Sequence, residues 1–165
     1  MLRLLAASGI LSLMANVAEA QSPLLSHLEK IHLEIERGVR ADECGITDIL
    51  IHQAFMHSLG AAKFNVVDDD PNSPTFRIKT GGYRTDNASL CISAISITVY
   101  LPQQVKLTYS NATVTAPILL WEKTGVFSSG RPQHPSQVKS QIEALTKSFI
   151  TDWNLENGWL GGRRD

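Results

Sequence analysis

The stretch from Ser89 to Tyr109 constrains the fold of this chain more than any other segment. It is rich in β-branched residues, and its side chains alternate between apolar and polar with a period of two. Because successive side chains of a strand point to opposite faces of a sheet, the pattern predicts a half-buried strand. The apolar face carries Cys91, Ile95, Ile97, Val99 and Leu101, with Ser93 as the exception. The other face carries Ser96, Thr98 and Tyr100.

A proline interrupts this long strand. Pro102 has no N–H to donate to a neighbouring strand. We therefore predict that the strand is bulged or broken at this residue, or that it lies at an edge of the sheet there. Val105 and Leu107 resume the alternation, and residues 110–112 (Ser-Asn-Ala) predict a turn.

The N-terminus has the pattern of a secretory signal peptide. Arg3 supplies the positive charge, residues 4–17 form an apolar run, and residues 18–20 match an A-x-A cleavage site. A buried N-terminal helix is the alternative. Cleavage after Ala20 predicts an exported protein, periplasmic in a bacterium and secreted otherwise, and the short Ala-rich leader favours the bacterial case. The remaining chain has no segment apolar and long enough to span a bilayer, so no integral membrane segment is expected.

Length and charge restrict the class of protein. The 165 residues predict a signal peptide at 1–20, one globular domain at 21–158 and a flexible tail at 159–165. The formal net charge is −1, and no basic stripe is interleaved with aromatic residues. Both observations argue against nucleic-acid binding.

Cys44 and Cys91 are the two cysteines of the chain. Export would take them to an oxidising compartment, where an even number of cysteines predicts a disulfide. The bond would join the turn before the first helix to the long strand. Two separate buried thiols are the alternative.

Four further strands are predicted from alternation and turn signals. They are Lys30–Arg37, Phe64–Val67, Thr75–Thr80 and Ile118–Lys123. Leu24–Ile35 also fits helical spacing, and we prefer the strand at Lys30–Arg37 because Glu34 and Glu36 alternate with apolar neighbours. Residues 81–82 (Gly-Gly) are expected to end the third strand. Ile118–Lys123 is apolar on both faces, which predicts a central place in the sheet, and Gly125–Pro135 is expected to be a loop.

Two amphipathic helices are predicted. The first spans Asp48–Leu59, with Thr47 as its N-cap, Gly60 at its end and Met56 among the residues of its buried side. The second begins at the cap Ser136. Its apolar stripe consists of Val138, Ile142, Leu145, Phe149 and Trp153.

The order of elements, β-α-β-β-β-(β)-α, predicts an α+β fold. Short connections between successive strands favour a mostly antiparallel sheet of four to five strands, with both helices packed on one face. This order is similar to that of small envelope proteins such as the periplasmic lipoprotein activators of penicillin-binding proteins. No motif supports that resemblance, so no residue roles are transferred from it.

Catalytic and metal-binding patterns are weak. An S-x-x-K begins at Ser136, a Y-x-N lies at residues 109–111, and K-T-G occurs at residues 79–81 and 123–125. A β-lactamase-like enzyme would have the S-x-x-K first, whereas here it comes last, and the domain is too small for that fold. The five histidines form no H-E-x-x-H motif, and residues 68–70 (Asp-Asp-Asp) lack the spacing of a calcium loop. We therefore predict no catalytic residues, cofactor or metal. Asn87 and Asn111 match the N-glycosylation pattern, and we expect them to be unmodified in a bacterial protein.

These observations favour a non-catalytic exported module that binds an envelope or extracellular protein. Its predicted contact surface combines the polar strand face, Ser96, Thr98 and Tyr100, with His134 in the loop that precedes the second helix. The alternative is a small exported hydrolase or small-ligand-binding protein that uses His134. That alternative requires a pocket in which His134 meets a carboxylate or a hydroxyl.

Overall fold

A computed structural model describes residues 25–26, 28–60, 62, 64–67, 70, 72–85 and 90–158. The predicted signal peptide, the predicted tail and Asn87 lie outside these residues. The described part forms one five-stranded sheet and two α-helices. The elements are β1 (Lys30–Arg37), α1 (Asp48–Leu59), β2 (Asn65–Val67), β3 (Thr75–Arg84), β4 (Leu90–Lys106), β5 (Thr113–Gly130) and α2 (His134–Glu156).

The sheet has the strand order β2-β1-β3-β4-β5. β1 pairs in parallel with β2 and β3, whereas β4 pairs antiparallel with β3 and β5. The predicted α+β class is confirmed, and the two longest ladders are antiparallel as expected. The parallel pairing of β1 with β2 arises because α1 is the crossover between them. The strand preferred for Lys30–Arg37 is also confirmed.

The long strand β4 supplies the centre of the core. Its inward residues Cys91, Ile95, Ile97 and Val99 are completely buried, as the alternation predicts. Both helices pack on this inner face of the sheet. Phe76 of β3 contacts both helices. Its ring centroid lies 4.8 Å from that of Phe55 in α1 and 5.1 Å from that of Phe149 in α2.

The predicted disulfide between Cys44 and Cys91 is present, with a Cα–Cα distance of 5.8 Å. Cys44 ends a short 3₁₀ helix, Ala41–Cys44, that precedes α1. Both cysteines are completely buried. The bond therefore joins the connection between β1 and α1 to the central strand of the core.

Two predictions about β5 are wrong. It is an edge strand of 18 residues, not a short central strand, and its residues 125–130 extend a ladder where a loop was predicted. The two-sided apolar pattern arises from a register shift between Val99 and Tyr100. Val99 pairs with Trp121 and Tyr100 with Leu119, so Leu120 is an extra residue on β5.

The ends of β4 and β5 form a two-stranded arm that extends past the other strands. The β3–β4 ladder ends at Tyr100, whereas the β4–β5 ladder continues from Leu101 to Lys106. Pro102 faces Pro117 in this arm. Because neither proline can donate, their nitrogen atoms point away from each other, towards the two free edges. The expected edge position of Pro102 occurs, but the expected bulge at this residue does not, because the register shift lies at Val99 and Tyr100 and its extra residue is on β5. Each edge of the arm lacks one hydrogen-bond donor.

Two local predictions need correction. β3 continues through residues 81–82 to Arg84. A Cβ on Gly82 would lie 3.1 Å from the Cα of Ala41, so this glycine permits a close backbone approach and does not end the strand. α2 begins at His134, and the hydroxyl of Ser136 donates to the carbonyl of Gln133 at 2.7 Å, so Ser136 is not the N-cap.

The remaining helix predictions hold for the most part. The Thr47 hydroxyl accepts from the backbone N–H of Leu50 at 3.2 Å, which confirms the N-cap of α1. Met56, expected on the buried side of α1, is 40% exposed. In the α2 stripe, Val138, Ile142, Phe149 and Trp153 are buried, and Leu145 is partly buried against the same core.

Replacing both cysteines by alanine is expected to lower the free energy of unfolding by about 4 kcal/mol. The bond closes a loop across a sequence separation of 47, and its removal restores conformational entropy to the unfolded chain. Chemical denaturation of the double variant and the parent protein measures the difference. A change within about 0.5 kcal/mol would contradict this role, because that is the range of a neutral surface substitution.

Candidate functional site

The face of the sheet opposite α1 and α2, here named the outer face, carries ordered rows of polar side chains. The pairing of β1, β3, β4 and β5 defines two such rows. One row is Glu34, Arg77, Thr98 and Glu122, and the next is Glu36, Lys79, Ser96 and Thr124. The residues predicted for the contact surface, Ser96, Thr98 and Tyr100, are partly exposed on this face.

A three-residue hydrogen-bond network organises one end of the outer face. Arg77 donates from Nε to Oε2 of Glu34 at 2.9 Å, and from Nη2 to the hydroxyl oxygen of Tyr100 at 3.0 Å. The Tyr100 hydroxyl donates to the same Glu34 oxygen at 2.7 Å. The guanidinium carbon also lies 4.9 Å from the centroid of the Tyr100 ring. The network therefore fixes the orientation of a cation and an aromatic ring on the face opposite α1 and α2.

The pKa values of this network shift in the directions that its geometry dictates. Partial burial raises the pKa of Glu34, but the hydrogen bonds from Arg77 and Tyr100 outweigh burial, and the net pKa is below its usual value. Burial and the hydrogen bond to Glu34 raise the pKa of Tyr100. The hydrogen bond to Glu34 also raises the pKa of Arg77. Glu34 and Arg77 therefore remain an ion pair, and Tyr100 remains a neutral donor, near neutral pH.

The second row is paired in the same manner. Lys79 Nζ donates to Oε1 of Glu36 at 2.6 Å. The hydroxyl of Thr124 donates to that of Ser96 at 3.3 Å, and Ser96 donates to Glu122 at 3.4 Å. Cations and carboxylates thus alternate across these rows, so the surface is polar without a strong field of one sign.

A recess of about 250 Å³ opens beside the Arg77 network. It is lined by Arg77, Thr98, Tyr100, Pro117 and Leu119. The register shift of β5 places Leu119 opposite Tyr100 on the outer face, where 52% of the leucine surface is exposed. The recess therefore combines an apolar wall with hydroxyl and guanidinium groups.

The opposite end of the outer face is apolar. Tyr83 pairs with Ile92, and Ala94 pairs with Val126 in the neighbouring row. Val126 is 71% exposed, and Gly81 has no side chain to cover Ala94. The outer face thus has apolar groups at both ends and paired charges between them.

His134 does not lie on this surface. It is completely buried at the start of α2, where its ring stacks on Phe127 with centroids 5.3 Å apart. Its Nε2 lies 2.7 Å from the hydroxyl of Ser93, and its Nδ1 lies 2.7 Å from the hydroxyl of Ser129. The structure therefore separates His134 from Ser96, Thr98 and Tyr100, with which sequence analysis had grouped it.

The histidine anchors the first turn of α2 to β4 and β5. Its two ring nitrogens meet two hydroxyl groups, each of which can donate or accept, so a neutral imidazole is fully hydrogen-bonded. The contact between Ser93 and His134 has the composition of a nucleophile and base, but Ser93 is only 1% exposed. In this conformation a substrate has no access to the pair, and the geometry describes a structural anchor.

Several further observations bear on function. Within the described residues, no group of three or more histidine, cysteine, aspartate or glutamate side chains is arranged to hold a metal ion. Neither described helix has the length and apolar character that a membrane span requires.

Of the Asp68–Asp70 run, Asp70 is described, and Lys30, Ser73 and the backbone N–H of Asn72 all donate to its carboxylate. Those bonds lower the pKa of Asp70 and give its carboxylate a structural role in the turn.

Comparisons with known proteins provide no family. No family model matches the chain, and no curated protein sequence matches it. A minor lipoprotein of Acinetobacter baumannii aligns over 78% of this chain and 93% of its own, with 11% identity and a TM-score of 0.32. Rare lipoprotein B of Shewanella oneidensis aligns over 74% of this chain and 89% of its own, with 8% identity and a TM-score of 0.29. Similarity at this level supports no inference about function.

Sequence analysis missed four residues of the Arg77 network and of the recess beside it: Glu34, Arg77, Pro117 and Leu119. Opposite charges on two predicted strands were a usable signal, because cross-strand ion pairs favour particular registers. Glu34 and Glu36 meet Arg77 and Lys79 in this way. The exposure of Leu119 could not be predicted, since it depends on the extra residue in β5.

His134 is expected to make stability depend on pH. Burial lowers its pKa below the ordinary value of 6.5. Between the lowered pKa and 6.5 the unfolded chain binds more protons than the folded chain, so the free energy of unfolding falls as the pH drops below 6.5. The contribution is fully present above that pH. Carboxylates with lowered pKa values, such as Glu34, lose their contribution at more acidic pH.

Chemical denaturation between about pH 7.5 and pH 5 tests this assignment, because the histidine of the unfolded chain, with its ordinary pKa of 6.5, takes up its proton in that window. We expect the pH dependence to become shallower in His134→Gln, even though the variant is less stable at every pH. His57→Gln is the matched control on the exposed side of α1, and it should retain the dependence that His134 causes. An unchanged slope in His134→Gln would contradict the assignment.

Proposed function

We propose that this protein is a non-catalytic exported module that binds an envelope protein through its outer face. The observation that carries the proposal is the sheet itself, since both described helices pack on its inner face and neither covers its outer face. The signal-peptide pattern of residues 1–20 supports export, and a bacterial periplasm is the proposed location. Oxidation of Cys44 and Cys91 to a buried disulfide fits that compartment.

The composition of the outer face supports a protein partner. Protein interfaces combine an apolar centre, aromatic and arginine side chains, and a polar rim. Leu119, Tyr100 and Arg77 lie together at one end of the face, and the paired charges of Lys79 and Glu36 lie nearby. Most of these polar groups already form hydrogen bonds or ion pairs within the protein. A second protein can therefore bind to the face without burying an unpaired charge.

The alternative, a small exported hydrolase or small-ligand-binding protein that uses His134, has two supporting contacts. The imidazole meets a hydroxyl group at each nitrogen, as that hypothesis requires. However, His134 is completely buried, and its stacking on Phe127 and its two hydrogen bonds account for its position. The burial weighs in favour of the binding module.

A charged side chain at the centre of the outer face should block the interaction and leave the fold intact. Thr98→Arg places a bulky cation between the predicted contact residues but touches no core residue, because Thr98 points away from the helices. We expect the variant to recover less of the partner than the parent protein in cross-linking of envelope extracts from the source cells. We expect the affinity for the partner to fall about tenfold or more. A loss of that size corresponds to about 1.4 kcal/mol or more of binding free energy, as is typical of a residue at the centre of an interface.

Thr151→Arg is the matched control, since Thr151 lies on the exposed side of α2. It introduces the same side chain and charge and should recover the partner as the parent protein does. Thermal unfolding of both variants should remain within a few degrees of the parent. Equal recovery of the same proteins by Thr98→Arg and Thr151→Arg would overturn the proposed function.

A further inference from the structure

The recess beside the Arg77 network lies where the register shift of β5 places Leu119 on the outer face. Its volume of about 250 Å³ is below the roughly 300–1,000 Å³ of sites for drug-sized ligands. Tyr100, Pro117 and Leu119 form apolar walls, and Leu119 remains 52% exposed. A site of this size and lining fits one large side chain better than a whole cofactor.

The charges around the recess select a neutral ligand. Arg77 lies within hydrogen-bond distance of both Glu34 and Tyr100, so the cation is already balanced by a carboxylate. An incoming anion would approach Glu34 and be repelled by it. A neutral acceptor would meet the remaining guanidinium N–H groups and the Thr98 hydroxyl without such repulsion.

Pro117 determines how a partner can approach. It lines the recess and also occupies the edge strand β5, where its nitrogen faces the free edge opposite Pro102. The edge therefore lacks a donor at the recess, which disfavours the addition of a partner strand at this point. A partner that crosses the face and inserts a side chain does not need this donor.

We infer that the recess receives one leucine- or phenylalanine-sized side chain of the protein partner, with a backbone carbonyl of the same segment accepting from Arg77 or Thr98. The inference rests on the proposed function and specifies the chemistry of its central contact. In such an interface Leu119 and Tyr100 form the wall of an anchor pocket.

Capped amino acids test this chemistry directly. The probes are N-acetyl-leucine methylamide and N-acetyl-phenylalanine methylamide, titrated into the ¹⁵N-labelled protein and followed by NMR. We expect saturable shifts of the backbone amides of Thr98, Tyr100 and Leu119, with dissociation constants in the millimolar range that suits so small a ligand. The alanine analogue should bind about tenfold more weakly or worse, because it buries much less apolar surface. The aspartate analogue should bind no better than alanine.

Two variants on one strand localise the effect. Leu119→Asp should abolish the shifts, whereas Val126→Asp, on the same face and 71% exposed, should retain them. If the Leu119→Asp spectrum shows loss of the fold, Leu119→Ala replaces it and should weaken binding severalfold. Shifts that are absent, that are equal for alanine and leucine, or that survive both changes at Leu119 would overturn the inference.

The outcome is separable from that of the proposed function. If the probes fail while Thr98→Arg still loses the partner, the anchor pocket is wrong and the binding module stands. If the probes bind while Thr98→Arg recovers the same proteins as Thr151→Arg, the binding module is wrong. In that case the recess binds the expected kind of side chain, but the inference that a protein partner supplies it is overturned together with the proposed function.

Discussion

Burial of one face of β4 is the constraint on which the structure depends. Ile95, Ile97 and Val99 are completely inaccessible to solvent beneath the two helices, and each contributes roughly 1.5–3 kcal/mol by transfer from water. The period of a strand then forces the intervening residues onto the opposite face. Thr98 and Tyr100 are therefore partly exposed on the outer face as a direct consequence of the core, and a second molecule can reach them there.

The fold could be predicted where a local pattern and the tertiary environment agree. Lys30–Arg37 and Asp48–Leu59 have clear periodicity, and both occur with the predicted boundaries. β5 was mispredicted because its extra residue, Leu120, changes the alternation midway and imitates a strand with two apolar faces. The glycines at residues 81–82 were wrongly expected to end β3. A glycine is needed at Gly82 because the backbone of Ala41, distant in sequence, lies close to it.

The candidate site was only partly predictable for the same reason. Thr98 and Tyr100 follow from the alternation of a single strand, but Arg77 reaches Tyr100 only through the β3–β4 pairing, and Glu34 joins them from β1. Sequence reasoning placed His134 in an open loop because β5 was expected to end too early. The longer β5 brings Ser129 against the imidazole and buries it. Contacts between elements therefore determined the outcome at each of these residues.

The central claim is that a partner protein covers the outer face, the face opposite both described helices, in the native setting. Lysine acylation followed by mass spectrometry measures this directly, because Lys79 lies on the outer face with a side chain 61% exposed. Lys147, exposed on α2, provides an internal reference. The account predicts that the reactivity of Lys79 relative to Lys147 is lower in intact source cells than in the purified protein. An equal ratio in the two preparations would contradict it.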